Sequence, residues 1–288
     1  MSTPTTTTGG APPTPPSATP GPGAPQPAAR APRPAGHRKA WVVVGTVFAL
    51  VSLAWGTLMV VGSVAYDRWD LHSTHDERIR AVDVEAEGAV RIEPATGSEL
   101  VVDTRVTRGL FETTTSERVE GDRLVLRSDC PALFDVHCGA DYTIQVPAGV
   151  AVLAHASGGG IQVSGVEGDL ELSASGGGIR VEDASGRLDL DASGGGITAT
   201  GLTSAVVAAD SSGGGVSLAF ARPPEAVDVG ASGGGVTVEL PDTPHTYRVE
   251  ASSSGGLTRN QVRTDPTSER AIEASSSGGG VTVRYPRG

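Results

Sequence analysis

The chain has 288 residues, a formal net charge of −11 and a single lysine, Lys39. All 33 acidic residues lie in residues 67–288 beside 18 arginines, a local charge of −15, whereas residues 1–66 carry four basic residues and no acid. An acidic body argues against a nucleic-acid surface, and with Lys39 as the only lysine no Walker A phosphate loop exists.

Residues 1–39 contain eleven of the twenty prolines, interspersed with Thr, Ala and Gly. They show no apolar periodicity, so a disordered tail is expected. Residues 40–66, AWVVVGTVFALVSLAWGTLMVVGSVAY, form 27 positions without a charge. At 1.5 Å per residue they reach about 40 Å, enough for a tilted helix to cross a hydrocarbon core of ~30 Å. Trp41 at one end, with Tyr66 and Trp69 at the other, suits the two interfaces. Arg33, Arg38 and Lys39 before the span place the tail in the cytoplasm and residues 67–288 outside. A cleaved signal peptide competes, because Ser63 and Ala65 form a small-x-small site. The apolar run is longer than a signal peptide requires, and an uncleaved anchor is expected. Residues 67–79, DRWDLHSTHDERI, read as a juxtamembrane linker of at most about 45 Å.

Residues 80–150 contain segments of alternating polarity at irregular spacing: AVDVEAEGAVRIEP, ELVVDTRV, RLVLRS and YTIQVPAGVAVLAHA. They are expected to form the capping part of a β-solenoid whose regular repeats fill residues 151–288. Within DCPALFDVHC, Cys130 and Cys138 read as a disulfide in an extracytoplasmic body. A metal site with His137 would have only three ligands there.

The repeats carry one phrase: HASGGGIQV, SASGGGIRV, DASGGGITA, DSSGGGVSL, GASGGGVTV, a weaker SSSGGLTRN, and SSSGGGVTV. Its closing apolar residues are Ile161, Ile179, Ile197, Val216, Val236, Leu257 and Val281. They recur at 18, 18, 19, 20, 21 and 24 residues. Period-two alternation around each phrase predicts two short strands per unit, joined by a glycine corner. One unit cannot bury its apolar face alone, but stacked units can. The expected fold is therefore an all-β, single-stranded β-solenoid of about 18–22-residue repeats, after one transmembrane helix and a disordered tail. Glycine at the corner is expected to supply positive φ and close layer approach. Ser157, Ser175, Ser193, Ser212, Ser232, Ser253 and Ser277 are expected to stack in a column and bond corner backbone groups.

No catalytic constellation emerges. Gly230-Ala231-Ser232-Gly233-Gly234 matches a nucleophile elbow only as one copy of the repeat. Ile or Val follows the glycines where a calcium-binding repeat needs Asp. Asp169, Glu171, Glu182, Asp183, Asp189, Asp191, Asp210 and Asp228 lie on or beside alternating strands, and a polysaccharide-acting enzyme is a remote alternative. The positions that vary between repeats are the outward ones, Gln162, Arg180, Thr198, Ser217 and Thr237. They form the candidate binding face. A flat polar column suits a repetitive polymer or strand-like partner better than a small substrate.

The order of a short anchor, AVDVEAEGAVRI, a Cys-containing loop, YTIQVPAGVAV and repeated Ser-Gly turns resembles the DUF4097 family of adhesin-like proteins, in its single-span actinobacterial form. The likeness covers about residues 80–285, and Gly stands where an acidic residue often follows Ser-Gly in that family. It implies a β-solenoid at the cell surface and no catalytic residues. The expected function is a membrane-anchored, non-catalytic binding domain without cofactor, directed at an envelope polymer or a neighbouring membrane protein. The alternative is an envelope-sensing accessory protein.

Overall fold

The structure, a computed structural model, describes residues 37–64, 67–75, 78–108, 113–130 and 138–286. The tail expected to be disordered lies almost wholly outside them. Among the described residues one helix, α1 (His37–Val64), precedes a body of twenty-one strands. The side chains described on α1, at positions 41–57, are exposed all round and mostly apolar. They cover about 25 Å of rise, against about 42 Å for the whole helix. Among the described residues no helix is long and apolar enough to cross a membrane.

The strands in chain order are β1 (Asp67–His75), β2 (Ala81–Ala86), β3 (Val90–Pro94), β4 (Leu100–Arg108), β5 (Thr114–Glu120), β6 (Arg123–Asp129) and β7 (Gly139–Val146). The repeats follow as β8 (Ala151–Ala156), β9 (Ile161–Ser164), β10 (Leu170–Ala174), β11 (Ile179–Glu182), β12 (Leu188–Ala192), β13 (Ile197–Leu202) and β14 (Val206–Ser211). The last are β15 (Val216–Phe220), β16 (Ala226–Ala231), β17 (Val236–Glu239), β18 (Arg248–Ser253), β19 (Thr258–Asn260), β20 (Ala271–Ser276) and β21 (Val281–Arg284).

They form two sheets. The eleven-stranded sheet runs β1-β4-β7-β3-β9-β11-β13-β15-β17-β21-β19 and the ten-stranded sheet β18-β20-β16-β14-β12-β10-β8-β2-β6-β5. Each coil contributes one strand to each sheet, and successive coils pair in parallel. The expected solenoid is thus a two-sheet stack, with antiparallel strands added at its start.

Registration makes the core a set of ladders. Ile161, Ile179, Ile197, Val216, Val236 and Val281 face one another across one sheet. Leu170, Leu188, Val207, Val227 and Ile272 do so across the other. All eleven are buried. Each such side chain contributes roughly 1.5–3 kcal/mol on burial. A one-residue slip would turn the whole set outward, so alternation fixes the register.

Four expectations need correction. Residues 67–75 are not a linker: β1 pairs antiparallel with β4 over nine residues. The alternation of Trp69, Leu71 and Ser73 had the strand period, and β4 offered an open edge. The glycine phrase does not use positive φ, which falls instead at a second corner, on Gly165 (63°), Asp183 (53°) and Gly201 (68°). Leu257 does not close its phrase, because Thr258 pairs with Val281; the last two intervals are therefore 22 and 23 residues. Likewise Ser253 pairs with Ser276, so Ser254 takes the place given to Ser253 in the serine column.

The order of coils in space is not their order in sequence. The coil β2/β3 stacks directly on β8/β9, and β6/β7 lies outside it. At the other end β20/β21 inserts between β16/β17 and β18/β19. At each end the outermost coil of the parallel stack is therefore the one next to the terminal coil in sequence, with β4, β1 and β5 added antiparallel beyond β6/β7.

Candidate functional site

The glycine corner shapes the site, and close backbone approach fixes its glycines. A Cβ on Gly195 would lie 2.6 Å from Gly178 N and 2.7 Å from its Cα, in the preceding layer. A Cβ on Gly196 would lie 2.7 Å from Gly215 O in the following layer. Real Cβ atoms do not come that close to backbone, so the corner admits no side chain in either direction. In the last layer nothing follows, and Leu257 occupies the position of the third glycine with 68% exposure.

Serine does bond the corner backbone: of the serines expected to do so Ser253 makes these bonds, while Ser211 and Ser276 make them in place of Ser212 and Ser277, one position earlier. Ser211 Oγ donates to Gly195 O at 2.9 Å and accepts the Gly214 N–H at 3.1 Å. Ser276 repeats this with Gly234 O (2.7 Å) and Gly279 N–H (3.0 Å). Ser253 does so with Gly279 O (2.6 Å) and Gly256 N–H (2.9 Å). Elsewhere this inward position is alanine. Of the expected column, Ser157 bonds Ala86 O at 3.2 Å and Glu87 at 3.0 Å.

The five candidate face residues come together. Gln162, Arg180, Thr198, Ser217 and Thr237 are successive register partners on the outer face of the eleven-stranded sheet. Thr282 and Arg259 extend the column at one end, and Arg91, Thr143, Asp103 and His72 at the other. The periodic signal could not reach Arg91, Thr143, Asp103 and His72, because β1, β3, β4 and β7 lie outside the regular repeat, whereas Thr282 follows Val281 within a copy of the phrase.

Beside the column the side-chain-free corners leave a groove of about 520 Å³. It is lined by Gly160, Gly177, Gly178 and Gly196 along one flank, and by Gln162, Thr143, Thr198, Asp141 and three arginines. Arg91 pairs with Glu93 at 3.7 Å, Arg105 with Asp70 at 3.1 Å and Arg180 with Glu182 at 2.7 Å. All three guanidiniums are more than half exposed. Such pairs hold by only ~0–1 kcal/mol each and exchange readily for an incoming anion. The surface is therefore not flat as expected: part of it is a polar trough with exchangeable cations.

The opposite outer face is acidic. Glu171 and Asp189 are register partners, as are Asp191 and Asp210, and Asp228 and Glu273. Burial, then Asp191, Asp228 and Asp189, hold the Asp210 carboxyl above the usual carboxylate range. Asp169 accepts the Arg187 backbone N–H at 2.8 Å, while Glu182 pairs with Arg180 on the other sheet. The carboxylates named from the sequence are thus divided between two faces and a turn. Among the described residues no cluster of His, Cys, Asp and Glu is placed to hold a metal ion. Cys130 and Cys138 form the expected disulfide, with Cα atoms 6.1 Å apart; residues 131–137 between them lie outside the described residues.

The family model of the Toastrack DUF4097 family matches residues 146–285, from the last residue of β7 through β21. No curated protein matches the chain. Among solved structures, a candidate cell adhesion protein from Clostridium sporogenes is similar at 12% identity, covering 76% of this chain and 100% of that one, with a TM-score of 0.34. A candidate adhesin from Bacteroides fragilis is 14% identical over 76% of this chain and 97% of that one, at 0.37. Another from Parabacteroides distasonis is 10% identical over 75% and 97%, at 0.38. No site residue carries over from them.

Proposed function

We propose that this chain is a membrane-anchored, extracytoplasmic binding domain that catalyses nothing, and that it engages an extended anionic polymer of the cell envelope along the groove and the column beside it. The observation that supports this reading most is the column itself. Five outward positions that vary in sequence align on one face, against a trough where glycine corners admit a chain and three arginines offer charge-assisted contacts. A groove that runs beside a column of register-aligned polar residues suits a polymer better than a small substrate, which needs an enclosing pocket. The anchor rests on the uncharged run 40–66 and the helical backbone of α1. The adhesin-like label of similar proteins is compatible with this role, and a fold alone does not assign one.

The sensing alternative gains one point of support. Only residues 65 and 66 separate α1 from β1, so the tether is far shorter than a 45 Å linker, and partners on or near the same membrane are favoured. The test is a pull-down of envelope polymers by the full chain in detergent. Arg180→Glu, Thr198→Glu and Thr237→Glu together should abolish capture while leaving the melting temperature nearly unchanged. Undiminished capture moves the site elsewhere, and turnover of a wall glycan by the purified chain refutes the non-catalytic reading.

A further inference from the structure

We propose that the N-terminal end of the β body is a lipid-facing surface, seated in the headgroup region of the bilayer that α1 crosses; this rests on the anchored reading above. Among the described residues, four large apolar side chains of the β body are exposed: Trp69 (37%), Leu71 (47%), Val119 (37%) and Leu257 (68%). Three of the four stand on β1 and β5, the edge strands of the two sheets at the same end. Their register partners are Val106, Thr104 and Leu124, all buried. The three side chains thus lie on the core side of the sheets. Among the described residues no further layer follows at that end, which leaves them uncovered. Ser73 and His75 of β1 both hydrogen-bond Glu117 of β5, so the two edges form one continuous surface.

The chain itself points to the occupant. α1 ends at Val64 and β1 begins at Asp67. Three Cα–Cα steps span at most about 11 Å. A strand starting that close to the end of a membrane-crossing helix stands at the bilayer surface, and Trp69 is its third residue. An indole, apolar but with one N–H donor, is suited to that depth.

The sequence holds three tryptophans, Trp41, Trp55 and Trp69, which makes the test direct. One variant, Trp41→Phe with Trp55→Phe, retains only Trp69. A second, Trp41→Phe with Trp69→Phe, retains only Trp55, inside the helix. Each full chain is reconstituted into phosphatidylcholine vesicles with acyl chains brominated near the headgroup or near the terminal methyl. The proposal expects Trp55 to lose fluorescence to deep bromine. It expects Trp69 to lose more to shallow than to deep bromine, and to be shielded from aqueous acrylamide. Trp55 quenched by lipid with Trp69 quenched only by acrylamide overturns the lipid surface and leaves the anchor standing. Trp69 reached by neither quencher shows the patch covered by protein, residues 109–112 or a second copy, and also overturns it. Trp55 untouched by bromine removes the anchor and the proposal together.

Discussion

The third glycine of each corner shows how one atom sets a repeat. Its missing Cβ leaves room for the next layer's carbonyl, and only the last layer, which has no successor, carries Leu257 there. Gly280→Leu should therefore cost about 1–3 kcal/mol or more, lowering the melting temperature by several degrees, whereas Leu257→Gly should shift it by about a degree. Equal effects in calorimetry would disprove the layer argument. Gly195→Val should be comparably destabilising through its contact with Gly178 rather than through backbone φ. Ser211→Ala leaves the Gly214 N–H and Gly195 carbonyl without that hydroxyl, a loss of about 1 kcal/mol. The phrase was visible in the sequence at once. Its register at SSSGGLTRN was not, because Leu resembles a core residue; only the absence of a following layer, a long-range fact, explains its exposure.

At the level of strands, period-two alternation predicted the columns well, and it aligned all five face residues. It was not applied to β1, whose segment DRWDLHSTH reads as a linker after the uncharged span yet pairs with β4 over nine residues. It failed to show that the two outer faces differ in charge, since it does not say which strands share a sheet. The acidic face has a consequence for pH. Asp210 titrates above its unfolded value in the folded chain, so its charged form opposes folding. The cost is absent below the unfolded pKa and fully present once pH has risen through the folded one. Asp210 is exposed and screened, so Asp210→Asn should raise the melting temperature by only about 1–2 °C at pH 7, and by less at pH 3. A gain larger at pH 3 would contradict the like-charge account. Reducing the Cys130–Cys138 bond should cost roughly 2–3 kcal/mol on the loop-entropy model. Both thiols should resist alkylation in the native chain until a reductant is added.

For the whole molecule, the repeat predicted a stack but not its order. Near-identical phrases carry no mark of rank, so nothing in the sequence revealed that β20/β21 lies inside β18/β19. Hydrogen exchange reads this directly. β21 pairs with both β17 and β19, whereas β19 has one neighbour. Amides of Val281 and Val283 should be protected by at least tenfold more than those of Thr258 and Asn260, about 1.4 kcal/mol in local opening free energy, although they stand closer to the chain end. Faster exchange at Val281 than at Thr258 would refute the insertion.

That insertion also bears on synthesis. A stack assembled in chain order could close each layer as it leaves the ribosome. Here the slot between β16/β17 and β18/β19 stays empty until β20/β21 is made. A truncated chain would then be left with an unfilled gap rather than a shorter rod, a lesion that a protease can recognise. Limited proteolysis should therefore find a chain stopped after β19 less resistant to digestion than one carried through β21.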